Sequence, residues 1–174
     1  DRSGLAMSFA MTPPAGDTAS LLELACWGPL LPYFKSGLGY ERVVGADYRE
    51  DGKQKLSTLE VDGHRFEHAA IDVEMDFYPF PDESFDYVVA CDVVGHFEES
   101  VRDRLLAEIH RCLKPDGRFI GVIETIGKWF ESYAAKNPAA GRAFIEAGIK
   151  RAGHIGLEPP NRALTRLNTT GLRW

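Results

Sequence analysis

The 174-residue sequence holds only three cysteines, Cys26, Cys91 and Cys112, and none stands in a Cys-x-x-Cys pair. That spacing argues against a zinc site and a disulfide framework, so no metal is expected and a reducing, cytoplasmic compartment fits best. Long apolar runs are also missing. Nothing approaches the roughly 20 apolar residues that a helical membrane span needs, so no membrane partner is expected. The opening Asp1-Arg2-Ser3-Gly4 lacks the charged-then-apolar order of a secretory leader, and the absence of an initial Met points to a trimmed or partial chain. Clustered Lys and Arg are scarce, which argues against nucleic acid as a partner, since such binding draws its affinity from phosphate neutralisation. Internal repeats and low-complexity segments are absent.

What is present is ordinary for one globular domain: 44% hydrophobic and 26% charged residues in a chain long enough to bury a core without staples. A single domain over residues 1–174 is the expectation, with its core at 20–124. The net charge of −6 is unevenly divided: residues 1–124 carry 12 basic and 23 acidic side chains (−11), residues 125–174 carry 8 and 3 (+5). The basic tail either packs on the acidic body or meets an anionic substrate.

Taken in order, residues 1–19 read as a turn-rich lead-in with little core potential, centred on Thr12-Pro13-Pro14-Ala15-Gly16-Asp17. Ser20 to Ala25 reads as a first buried strand. Cys26-Trp27-Gly28-Pro29 is a turn, with Pro29 placed to start a helix towards Phe34. Glu41 to Asp47 is a second strand ending in an acid, 22 residues after Ala25, close to the interval at which nucleotide-binding α/β units place the carboxylate that grips ribose hydroxyls. Tyr48 to Leu59 reads as a polar helix or loop, Val61 to His64 as a turn, and Arg65 to Ile71 as a third strand delivering Asp72 and Val73 to the same edge.

The organising stretch is Asp72 to Asp92. Pro79 and Pro81 fix φ and bias the residues before them towards extended backbone, so Tyr78 to Asp82 should cross the sheet edge as a non-helical strap. Phe85-Asp86-Tyr87-Val88-Val89-Ala90-Cys91 is a β-rich apolar run of the length expected for a strand buried on both faces, and Asp92-Val93 follow at its end. Val101, Leu105, Ile109 and Cys112 then share a helix face. Lys114-Pro115-Asp116-Gly117 stops that helix before a fifth strand, Arg118 to Glu124. Beyond it, Ile126 to Ala135 and Ala139 to Ala152 look helical, while His154 to Glu158 and Ala163 to Asn168 read as late antiparallel strands.

Strands alternating with helices imply an α/β fold with a doubly wound, mostly parallel, Rossmann-like sheet, in which ligands bind beyond the strand carboxyl ends. Glu23 to Trp27, Asp47, Asp72 and Asp92 all fall at such ends, which suits a ligand with several donor groups.

Pro79-Phe80-Pro81-Asp82-Glu83-Ser84-Phe85-Asp86-Tyr87-Val88-Val89, followed by Leu113-Lys114-Pro115-Asp116-Gly117-Arg118-Phe119, resembles the small class I S-adenosylmethionine-dependent methyltransferase domain of quinone-biosynthesis and sugar-cluster enzymes. The resemblance covers about Ser20 to Glu124. It implies methyl transfer to a small-molecule or saccharide-type acceptor, with S-adenosylhomocysteine as product. It implies cofactor contacts at Glu23, Leu24, Ala25, Cys26, Trp27, Asp47, Tyr48, Asp72, Val73, Cys91, Asp92 and Val93. Within that set, Asp72 and the Val73 N–H would read adenine, with Glu74 and Asp76 as neighbouring alternatives. His96 is the titratable residue beside the site suited to take a proton from the acceptor, the alternative being that it caps or packs against the following helix. The family's first loop is usually Glu-x-Gly-x-Gly-x-Gly, whereas here Ala25, Trp27 and Pro29 stand at the three glycine positions. That departure leaves a second reading open, a binding or scaffold protein that keeps the fold without the chemistry. A nicotinamide-dependent reductase is a further rival, but the Gly-x-Gly-x-x-Gly that seats a pyrophosphate is absent.

Overall fold

The computed structural model describes residues 2–16, 18–26, 28–48, 55–71, 77–123, 125, 128–152 and 158–172. In chain order the strands are β1 (Ser20–Leu24), β2 (Arg42–Tyr48), β3 (Lys55–Val61), β4 (His64–Ile71), β5 (Phe85–Cys91) and β6 (Leu113–Val122). The helices are α1 (Arg2–Met11), α2 (Glu99–Cys112), α3 (Lys128–Lys136), α4 (Pro138–Ala152) and α5 (Pro160–Thr169), with a π-helical turn at Tyr33–Gly37 and a 3-10 turn at Val94–His96.

The six strands form one sheet in the order β3-β4-β2-β1-β5-β6. All pairings are parallel except the β3–β4 hairpin. From β1 the chain first builds outwards through β2 to β4, then returns to β1's other side with β5. The strand order therefore reverses at β1, and the expected Rossmann-like, doubly wound sheet is what the chain adopts.

Alternation along each strand divides the core into two layers. Leu22, Leu24, Val44, Ala69, Val88 and Ala90 face α2, α5 and the strap. Leu21, Val43, Phe66, Val89 and Ile120 face the π-helical turn, where Leu31, Phe34 and Tyr40 pack, and Phe9 of α1 joins them from the lead-in. Helix α2 turns Leu105, Leu106, Ile109 and Cys112 inwards, with Glu99 in its first turn and Arg111 in its last, each suited to the helix dipole.

The strap is fastened to α2 by Arg111. Its guanidinium donates to the Tyr78 carbonyl at 3.2 Å, the Phe80 carbonyl at 2.8 Å and Asp82 Oδ1 at 2.7 Å, while both Glu108 oxygens accept from it at 2.9 and 2.8 Å. Glu108 Oε2 also accepts from the Tyr78 N–H at 2.8 Å. Two prolines stiffen the segment, and one arginine occupies its carbonyls.

Four expectations change. Residues 1–19 are not a featureless lead-in: α1 forms, and Thr12 closes it by donating to the Ser8 carbonyl at 2.7 Å. Ser8 and Thr12 are buried and Phe9 packs on the second core layer, packing that the polar residues and the prolines after them obscured. Within Tyr48 to Leu59, expected as polar helix or loop, Lys55 onwards is strand β3, which runs on to Val61, because its partner β4 supplies the ladder and Leu59 and Val61 cover the second core layer. Ala163 to Asn168 is helical within α5. Pro160 starts that helix, and Ala163 and Leu167 are buried at helical spacing. Helix α2 ends at Cys112, but the strand expected from Arg118 begins earlier, at Leu113, so Lys114 to Gly117 lies within β6: Leu113 already pairs with Phe85, and the ladder shifts register before Arg118 meets Tyr87. His154 to Leu157 lies outside the described residues, and Glu158 makes a single parallel bridge to Thr125.

The uneven charge resolves in one place as a tail–body contact. Arg166 of α5 meets Glu99 at 2.9 Å and Asp103 on α2, as well as Glu158 at 3.2 Å, and Arg102 of α2 reaches Glu158 at 3.1 Å. No described helix is long and apolar enough to cross a membrane.

Candidate functional site

The site is built at the carboxyl end of β1, where both neighbouring strands end beside it. Glu23 sits between Gly45 of β2 and Val89 of β5 in the register of the sheet. It is only 5% exposed, an unusual place for a carboxylate, and its Oε2 has no hydrogen-bond partner among the described residues. Burial pushes its carboxyl up to about 7; the Cys26 thiol opposes that rise and the nearby Asp47 charge adds to it.

The first loop then turns sharply. Ala25 has φ 55°, in the left-handed region that glycine enters without cost. The loop therefore follows a glycine-like path although alanine occupies the position. Cys26 comes next, with its N–H bonded to the Ala46 carbonyl at 2.9 Å and its sulfur accepting from the Gly28 N–H at 3.3 Å. Burial and the Glu23 charge push its thiol well above the ordinary range. Gly45 makes this possible: a Cβ there would lie 2.6 Å from Cys26 Sγ. Gly28, at φ 87°, lets the loop settle against Val61 and Leu59.

Asp47, next to last in β2, is half-buried and close enough to raise the pKa of both Glu23 and Cys26 by its charge. Across β1, Cys91 ends β5. Its thiol is pushed up chiefly by burial, with Ser8 of α1 pulling it down and Asp92 and Glu23 adding to the rise. Asp92 follows at φ 57°, its N–H bonded to the Val122 carbonyl at 2.9 Å. Glu23, Cys26, Asp47, Cys91 and Asp92 thus form one electrostatic cluster over the end of β1.

Other expected residues fall differently. The side chains of Leu24 and Val93 point into the core layer beneath α2 and offer a ligand no more than backbone. His96 lies on the same edge of the sheet, closing the 3-10 turn that follows β5, with its N–H bonded to the Val93 carbonyl at 3.1 Å. The side chain of Tyr48 and the whole of Trp27, Asp72, Val73, Glu74 and Asp76 lie outside the described residues. Ser8 was missed by sequence reasoning, and no pattern in the sequence marked it. A separate, largely apolar cavity of 780 Å³ runs along β6 and α5, with Arg118 as its charged member and Ile123 and Thr125 at the carboxyl-edge end.

Residues 22–121 match the family model described as a methyltransferase domain. No curated protein matches the sequence. Among solved structures, a methyltransferase candidate from Bacillus halodurans superposes with a TM-score of 0.65 at 20% identity, covering 97% of this chain and 68% of that one. An Archaeoglobus fulgidus S-adenosylmethionine-dependent methyltransferase gives 0.61 at 17% identity, over 99% and 68%. Haemonchus contortus phosphoethanolamine N-methyltransferase 2, solved with phosphomonomethylethanolamine and S-adenosylhomocysteine, gives 0.60 at 20% identity, over 98% of this chain and 36% of that one. At these identities the likeness speaks for the fold.

Proposed function

Because the chain belongs to the methyltransferase-domain family, we propose that it is an S-adenosylmethionine-dependent enzyme that methylates a small-molecule or saccharide-type acceptor. The observation that carries this reading is the pair of carboxyls, Glu23 and Asp47, at the ends of adjacent parallel strands where the strand order reverses, the place at which open α/β sheets take ligands. Ala25 supports the fit of a cofactor, since its left-handed backbone keeps the loop on the path that glycine gives relatives.

When bound, S-adenosylmethionine supplies a methyl group already activated by its sulfonium charge, so the protein's share of the work is alignment and proton handling. Asp47 accepts from the ribose hydroxyls. Glu23 faces the cationic amino-acid end, and Ala25, Cys26 and Trp27 provide the loop beneath it. By resemblance, Asp72 and the Val73 N–H read adenine. Cys91, Asp92 and the Val93 backbone close the β5 side. His96 takes the acceptor's proton where the acceptor has one to lose. We read the chain as one functional unit with its core at 20–124, working in the cytoplasm and needing neither metal nor nucleic acid. A small-molecule acceptor is supported by the ligand of the Haemonchus neighbour and by the acidic net charge of −6.

Calorimetric titration with S-adenosylhomocysteine and NADH tests the proposal. Saturable heat is expected with the first and none with the second. Folded protein that gives no heat with S-adenosylhomocysteine would sink it.

A further inference from the structure

We propose that Glu23 stands as the neutral acid in the ligand-free protein and gives its proton to solvent when a cation enters beside it, so that cofactor binding is proton-linked. This rests on the function proposed above, which supplies the cation as the cofactor's ammonium group.

The geometry carries it. Glu23 is 5% exposed in the middle of three parallel strands, and one of its oxygens is buried without a hydrogen bond among the described residues. A buried carboxylate would have that lone oxygen uncompensated, whereas the neutral acid needs far less solvation. The surrounding elements face it with these groups. The loop after β1 presents the Cys26 thiol, whose hydrogen bond favours the carboxylate, and β2 presents Asp47, whose charge favours the neutral acid. The end of β5 presents Cys91 and Asp92, and α1 presents the Ser8 hydroxyl to Cys91. The described side chains acting on Glu23 thus include an acid and a thiol but no Lys or Arg. A ligand cation would bring an opposite charge that none of the described side chains acting on Glu23 supplies, and a fixed charge close by in a poorly solvated pocket favours ionisation. The proton leaves the carboxyl oxygen for buffer, and the carboxylate that remains pairs with the ligand. The raised pKa of about 7 places the exchange near neutrality.

The test is calorimetry with S-adenosylhomocysteine at several pH values between 6 and 8, repeated in phosphate and Tris, whose protonation enthalpies differ. The expected result is net release of up to one proton per ligand at the acid end, shrinking towards pH 8, with affinity rising by up to roughly tenfold per pH unit below the carboxyl's midpoint. Glu23→Gln keeps the shape without the charge; it should bind more weakly, with neither proton release nor pH dependence. A ligand-free readout stands beside this: the infrared difference between wild type and Glu23→Gln at pH 6 should contain a protonated-carboxyl carbonyl band. Binding without proton release, release that persists in Glu23→Gln, or a carboxylate band in place of the acid band would each overturn the inference while leaving the proposed function standing. No binding at any pH would overturn both.

Discussion

The Lys114 ammonium lies 2.8 Å from Asp86 Oδ2, and the same oxygen accepts from the Ser20 N–H and the Ser20 hydroxyl at 2.8 Å each. One carboxylate therefore ties together the starts of β1 and β5 and the bulge in β6. Two sequence motifs that stand well apart in the chain meet at one atom.

Burial works against ionisation of Asp86, yet Lys114 and Ser20 outweigh it and hold the carboxyl below its usual range. The sign follows: the bond's contribution is present above the unfolded value of 3.8 and is lost as pH falls through the lower folded one. Asp86→Ala should cost about 1–3 kcal/mol at pH 7, because it also strands the Ser20 N–H. Lys114→Met, which removes only a partly exposed ion pair, should cost less than about 1 kcal/mol. Urea denaturation of both variants checks the order, and equal losses would refute it.

Ala25→Gly should stabilise the protein. The left-handed conformation costs an L-residue roughly 1–2 kcal/mol, and glycine's extra unfolded-state freedom returns roughly half of that. A net gain of about 0.5–1 kcal/mol is expected, with undiminished binding of S-adenosylhomocysteine. Thermal unfolding decides it: a lower midpoint for the glycine variant would mean that Ala25 carries no strain.

Glu23 acts on stability in the direction opposite to Asp86. Its folded pKa of about 7 exceeds the unfolded 4.5, so the native state holds more protons between those values and stability falls as pH rises across that window. Glu23→Gln should flatten the slope and gain about 1–3 kcal/mol at pH 8 relative to wild type. Denaturation curves at pH 5 and pH 8 measure this, and parallel losses in both proteins would assign the slope elsewhere.

Arg111→Ala should loosen the strap without touching the sheet. It leaves Glu108, itself only 6% exposed, without its cation and frees the carbonyls of Tyr78 and Phe80. A loss of about 3 kcal/mol is expected, together with faster amide exchange at Phe80. Arg111→Lys cannot span the same acceptors and should recover only part of the loss.

Asp47→Ala should weaken S-adenosylhomocysteine binding about ten- to hundredfold, the worth of a charge-assisted hydrogen bond. Calorimetry measures it directly. Unchanged affinity would remove Asp47 from the ribose.

Legibility in the sequence followed from locality. Phe85–Cys91 is an apolar β-rich run whose bounds the structure reproduces, and α2 follows from its apolar face. Asp47 was visible as an acid ending a strand at a nucleotide-like interval. Lys55–Val61 was not visible, because most of the strand is exposed and its pairing partner β4, rather than its own pattern, makes it a strand. Helix α5 was misread because a short amphipathic segment with a few apolar residues fits either period. The protonation of Glu23 could not be read at all: it depends on Asp47, distant in sequence, and on burial by neighbouring strands.

The β3–β4 hairpin also bears on how the chain folds. Val61 and His64 meet across a two-residue turn at Asp62 and Gly63, both with positive φ, so this pairing closes at almost no loop entropy and forms within microseconds. The β1–β5 pairing joins Leu21 to Tyr87 and must wait for everything between them. Contact order therefore favours the hairpin edge first and the β1–β5 pairing late: Glu23 meets Asp47 through the shorter-range β1–β2 pairing, and Val89 of β5 closes its other side afterwards.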